Sequence, residues 1–228
     1  MEFAEKARPA LNDQNTTDAD KSIVTLRLHH SHEVFTYSAN RSSLCAESKW
    51  FRTTLSERFN ISPPNSPTRL PESLEFYNLP KPAFEQIVAF FSTGVYDPHP
   101  YDSGNEDPVA FILKLHFQLY HLARVYQVPE LERLAFESFK QAVAAPTSTP
   151  ARPYHTALAA AIRCHYEYVA TQDTMGDLMV NIGMDSSNGF VQSEEFRRLI
   201  DEVSKYAEAV QKNLEMRYCT FYGYNCPM

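Results

Sequence analysis

Several stretches of this chain hold residue types that could do chemistry, and each has a structural reading beside it. His29-His30-Ser31-His32 could in principle hold a transition metal. In an extended segment His30 and His32 point one way and His29 the other, and no cysteine or carboxylate in the stretch completes four ligands, so a solvated turn is expected. Residues 184–196 (MDSSNGFVQSEEF) echo a twelve-residue calcium loop, with Gly189 sixth, Val191 eighth and Glu195 in the place of the bidentate carboxylate. Met184 and Ser186 stand where hard oxygen ligands belong, so a polar turn before a capped helix explains the same letters. Cys219 and Cys226 are separated by six residues, against the two to four of zinc fingers, and no second pair follows. Cys164 and His165 are neighbours and point about 100° apart around a helix, whereas a nucleophile and its base must converge. Phosphate-cradling glycine loops, G-x-S-x-G and H-E-x-x-H are all absent. The chain is therefore expected not to be an enzyme and to need no metal or cofactor. An enzyme with an unrecognised site is the remote alternative.

The elements that position these residues follow from periodicity. Ile112, Leu115, Leu119, Leu122, Ala123 and Tyr126 recur at helical spacing, after Asp107 as a cap and Pro108 in the first turn. Gln127-Val128-Pro129 stops that helix, and Leu131, Leu134, Ala135 and Phe139 mark a second one folded back on it. Upstream, residues 23–28 alternate with Val24, Leu26 and Leu28 on one face, and residues 34–37 return as the partner strand of a hairpin. Ser42 or Ser43 then caps a helix carrying Leu44, Ser48, Phe51 and Leu55, followed by the proline-rich loop 62–67. Residues 74–77 read as a third strand. Lys81-Pro82 opens a helix with Phe84, Ile87, Val88 and Phe91 inward and Gly94 as its closing residue. Beyond residue 145, a Ser/Thr/Pro linker leads to a helix with Leu158, Ala161, Ile162 and His165 on one face. A short helix after Asp173 is next. One long helix capped by Ser193 is last, its stripe running Phe196, Leu199, Ile200, Val203, Tyr206, Ala207, Val210 and Leu214.

Composition bounds the function classes. The chain has 228 residues, 43% of them hydrophobic, enough for a core without disulfides. Its net charge of −7 argues against nucleic acid, which needs a basic face. No run of apolar residues is long enough to cross a membrane, and no apolar leader precedes residue 20. Scattered cysteines without an export signal imply an intracellular, cytoplasmic or nuclear, reducing setting.

Three segments carry a family resemblance. Tyr37-Ser-Ala39-Asn40-Arg41-Ser-Ser-Leu44-Cys-Ala-Glu-Ser48-Lys-Trp50-Phe51 resembles the strand-to-helix signature of BTB/POZ domains, F-x-V-H-K-x-x-L-x-x-x-S-x-Y-F. Phe84 and the run Phe90-Phe91-Ser92-Thr93-Gly94-Val95-Tyr96 look like the family's aromatic helix end. Leu119-Tyr-His-Leu-Ala123-Arg-Val-Tyr126-Gln-Val-Pro129-Glu-Leu131 is similar to its helical hairpin. The order of the three over residues 22–143 is that of the fungal BTB proteins with a helical C-terminal extension. The resemblance implies an α+β fold, a small sheet flanked by a helical cluster, followed by a mainly α-helical extension. The expected organisation is a disordered lead-in (1–20), the BTB/POZ domain (21–145), a linker (146–153) and a helical extension (154–228) ending in an aromatic and cysteine tail.

The resemblance also implies a protein-interaction module, a homodimeric scaffold or adaptor for a cullin-type ubiquitin ligase, with a transcription-linked regulator as the alternative. No small-molecule substrate is expected. The candidate interaction residues are Val24, Leu26, Leu28, Arg41, Leu44, Trp50, Phe51, Leu55 and Phe59. A core stripe and an interface stripe look alike in sequence, so for Phe51 and Leu55 both readings stand. The chain departs from the family in three places. Ile23 stands where an Asp often begins the first strand, Asn40 replaces the signature His, and Phe59-Asn60-Ile61 lacks the acid of the cullin-binding motif.

Overall fold

A computed structural model describes residues 23–56, 73–97, 107–144, 151–168, 173–185, 187 and 189–222. The lead-in 1–20, Phe59, the proline-rich loop, Ser186 and the Cys226 tail lie outside them. The chain is α+β, and its compact units lie within Met1–Leu79 and Pro80–Met228.

In the first unit, β1 (Ile23–His30) and β2 (Glu33–Asn40) form an antiparallel hairpin with Ile23 opposite Asn40 and His30 opposite Glu33. Ser31 and His32 make the turn with φ of 50° and 71°, the left-handed pair that suits the twist of a two-residue hairpin. The turn is therefore shorter than the four-residue His29–His32 turn expected, and both strands run longer. β3 (Ser73–Tyr77) adds to the other side of β1, giving the order β2-β1-β3. It runs parallel to β1, which requires a crossover, and α1 (Arg41–Glu47) and α2 (Lys49–Thr54) lie on that path. Strand alternation sends Val24, Leu26, Leu28 and Phe76 to one face, where all four are buried. The opposite face carries Arg27, His29, Glu75 and Tyr77. There Glu75 accepts from Arg27 at 3.3 Å and pairs with His29 Nε2 at 2.6 Å, while His29 stacks on Tyr77 at 4.5 Å.

The single helix expected after the hairpin is two. Ser48 is extended (φ −129°, ψ 123°), and its hydroxyl accepts from the Phe51 N–H at 3.0 Å, so it ends α1 and caps α2. The first helix begins at Arg41 with Asn40 before it, not after Ser42 or Ser43.

The second unit is helical. α3 (Lys81–Thr93) closes on Gly94, whose φ of 69° is the left-handed conformation glycine adopts without steric cost, with its N–H on the Phe90 carbonyl. α4 (Pro108–Val125) is capped by Asp107, which accepts from the Val109 and Ala110 N–H groups. α5 (Pro129–Ala144) folds back on it through Gln127, held at φ 52°. α6 (Ala151–Tyr168) begins inside the span read as linker and packs against α4, so the hairpin and the extension share one compact unit. The two compact units divide between β3 and α3. α7 (Thr174–Met184), a short 3-10 turn at Phe190–Gln192, α8 (Glu194–Glu202) and α9 (Ser204–Tyr222) complete the unit. Ser193 caps α8 by accepting from the Phe196 N–H at 3.1 Å. The long last helix expected is interrupted at Val203, a buried side chain whose backbone leaves the helical region (φ −115°, ψ 83°). No helix among the described residues is long and apolar enough to cross a membrane.

Candidate functional site

The residues read from the sequence as an interaction surface are placed as follows. Val24, Leu26, Leu28, Leu44, Phe51 and Leu55 are buried, none more than 3% exposed. The strand face and helix stripe read as surplus apolar surface are thus covered within the chain. Of the two readings open for Phe51 and Leu55, the core one describes this conformation. Arg41 is buried as well, and its guanidinium donates to the Leu55 carbonyl at 3.1 Å, tying the start of α1 to the end of α2. Trp50 is half-buried, its ring edge-on to Phe51 at 4.9 Å and tilted over Phe76 at 6.3 Å. Phe59 is outside the described residues. Among the described residues of this unit, the strongly exposed large apolar side chains are Ile23, Val34 and Tyr77, on the polar face of the sheet.

The chemistry-bearing stretches are dispersed. His29 belongs to the Glu75 bridge, and Ser31-His32 form the turn. Of the calcium-loop echo, Asp185 accepts from the Ser187 N–H at 2.9 Å, and Glu195 lies in the first turn of α8. Cys164 is half-buried, and burial first, then the Glu167 charge, pushes its thiol up from the ordinary value. Among the described residues no three His, Cys, Asp or Glu side chains gather as metal ligands.

One polar constellation forms where the sequence suggested none. α4 contributes Tyr120, His121 and Arg124. α6 contributes His165, which is 1% exposed, and Asp173 stands at the start of α7. Asp173 does three things. Its Oδ1 accepts from the Gly176 N–H at 2.9 Å and so caps α7, its Oδ2 pairs with Arg124, and Tyr120 reaches it at 3.5 Å. Arg124 also faces Glu132 of α5 at 3.7 Å and lies over the Tyr120 ring. His165 Nδ1 meets His121 Nε2 at 3.3 Å, so one ring donates and the other accepts. His165 Nε2 lies 3.2 Å from Asp173 Oδ1 but out of hydrogen-bond alignment. Both imidazoles are held down to about 4. Burial is the main cause, the Arg124 charge acts on both, and His121 acts on His165. Each ring is therefore neutral at pH 7.

Gly176 lets the first turn of α7 approach this close: a Cβ there would stand 3.1 Å from His165 Nε2 and 3.2 Å from the Tyr166 hydroxyl. That hydroxyl donates to the Gly176 carbonyl at 3.2 Å.

No protein-family model and no curated protein matches this chain.

The junction combines a capped helix start, an ion pair and a neutral histidine pair, each of which fixes one helix against another. It joins α4, α6 and α7 by polar contacts beside the Phe117 ring. Sequence reading placed His165 on the buried face of its helix and made Asp173 the start of the next. It missed His121 and Arg124, because α4 is buried over a wider arc than its period suggested: Leu113, His116, Phe117 and Tyr120 are buried beside the expected stripe. A helix flanked by α3, α5 and α6 has little solvent face left, and the presence of four rings in Phe117, Tyr120, His121 and Tyr126 was the available signal.

Proposed function

We propose that the protein is an interaction module of the BTB/POZ kind, a self-associating scaffold or adaptor with a helical extension, working in a reducing intracellular compartment. The observation that carries this reading is the folding of the three resembling segments. Residues 37–51 run from β2 through α1 to the Ser48-capped α2, residues 84–96 end α3 on Gly94, and residues 119–131 form the hairpin joint of α4 and α5. These are the elements the resemblance implies, in its order.

Two further points bear on the alternatives. The basic position of the signature, Arg41, is buried on the Leu55 carbonyl, so it offers no open charge to a co-repressor peptide. This favours an adaptor over a transcription-linked role. The imidazole of His165 is closed to solvent, so no substrate reaches the one His–Asp pair of the helical junction, which favours a structural over a catalytic part for it.

The test is co-expression of two differently tagged copies of the full chain. Recovery of one tag with the other is the expected result, and a cullin in the same fraction makes the protein a ligase adaptor. Recovery of the pair with chromatin factors and no cullin transfers the reading to the transcription-linked class. Copies that never co-purify overturn it.

A further inference from the structure

The polar junction has a property that lies outside the interaction reading and does not depend on it. Two imidazoles share one hydrogen bond between facing nitrogens, each edge-on to the Phe117 ring, with His165 closed to solvent and His121 half-buried. Such a bond needs a lone pair on one side. The arrangement that satisfies most groups has His121 Nε2–H donating to His165 Nδ1, leaving the His165 Nε2–H on the side of Asp173. A proton added at His165 Nδ1 sets two N–H groups against each other across 3.3 Å and puts a buried cation beside Arg124.

The surroundings do not compensate. Facing the pair are Tyr120 and Arg124 from α4, and Glu132 from α5, which is turned toward Arg124. Tyr166 faces it from α6, Asp173 from the start of α7 with Asp177 one turn on, and Tyr206 from α9 through its edge-on contact with Tyr166. The carboxylate that lies beside His165, that of Asp173, is already engaged by Arg124 and the Gly176 N–H.

We propose that the His121–His165 pair is a proton-operated release for the helical unit: uptake of a proton there separates α6 and α7 from α4 while the strand unit keeps its fold. The sign follows from linkage. Each imidazole titrates near its ordinary value of 6.5 once the junction is open and near 4 while it is closed. The open form therefore binds more protons between those limits. The closed junction has its full stability above pH 6.5 and loses it progressively as pH falls toward 4. At pH 5 the shift for a single histidine multiplies the open fraction about thirtyfold relative to pH 8.

The experiment is amide hydrogen exchange of the full chain at pH 8 and pH 5, corrected for the intrinsic pH dependence of exchange. Opening in α6 and α7 should rise at least about thirtyfold at pH 5, relative to β1 and β2. In His121→Gln/His165→Gln this rise should vanish. Should that variant not fold, imidazole proton resonances of the wild-type chain serve instead: two histidines should titrate well below the rest, in step with the exchange change. Equal corrected protection of α6 and α7 at both pH values overturns the proposal. So does a rise shared by the strands, or one that persists in the double variant.

Discussion

At the scale of single residues, the most telling position is Tyr206. Its ring is fully buried between Tyr166 and Phe196, and its hydroxyl has no partner among the described residues. Burial pushes that hydroxyl far above its ordinary range, so it stays protonated and neutral. The hydroxyl fits into the space left by Gly183, where a Cβ would run into it. A buried hydroxyl without a bond contributes no stability, so Tyr206→Phe should be neutral or raise stability by up to about 1 kcal/mol in thermal unfolding. Gly183→Ala should cost about 1–3 kcal/mol by overpacking. Adding Tyr206→Phe should return a good part of that loss, because the offending oxygen is gone; strict additivity of the two would show that they do not share this contact. Leu28 gives a complementary test. It is 0% exposed, so Leu28→Ala should destabilise the chain by about 2–5 kcal/mol. A variant that loses self-association but keeps its melting temperature would place Leu28 in an interface instead.

At the scale of elements, the helix starts were legible and the helix interruptions were not. Asp107 and Ser193 cap where their side chains suggested, and Asp173 caps the helix expected after it, because a capping oxygen next to an apolar period is a local signal. Ser48 was read as one position on a continuous helical stripe. Its hydroxyl instead turns back on the Phe51 N–H, a choice between two local hydrogen bonds that only the surrounding packing decides. Ser48 is 0% exposed, so Ser48→Ala leaves a buried N–H without its acceptor and should cost about 1–2 kcal/mol in denaturant unfolding. A loss within a few tenths of a kcal/mol would mean that α1 and α2 need no cap between them. Val203 breaks the last helix in the same unannounced way, and the C-terminal part of its stripe, at Leu214, comes out exposed. The strands were found from alternation, but the parallel pairing of β3 with β1 was not, because partner choice between strands leaves no mark on either one. The junction of His121, His165, Arg124 and Asp173 was invisible for a related reason. Its parts lie on separate helices, the two histidines 44 residues apart, and no local spacing joins them.

At the scale of the whole molecule, covering Val24, Leu26, Leu28, Leu44, Phe51 and Leu55 within the chain changes what self-association can use. Among the described residues of the strand unit, what remains exposed to a second copy is the half-buried Trp50 and the sheet face with Ile23, Val34 and Tyr77. The same face carries the Arg27–Glu75–His29 bridge, and exposed ion pairs of that kind contribute little to folding while fixing orientation at a contact. The measurement that bears most directly on the account is the mass of the full chain by sedimentation across a dilution series at micromolar concentration. The account predicts a species of twice the 26.1 kDa chain mass that dissociates on dilution. A single species at 26.1 kDa throughout the series would contradict it.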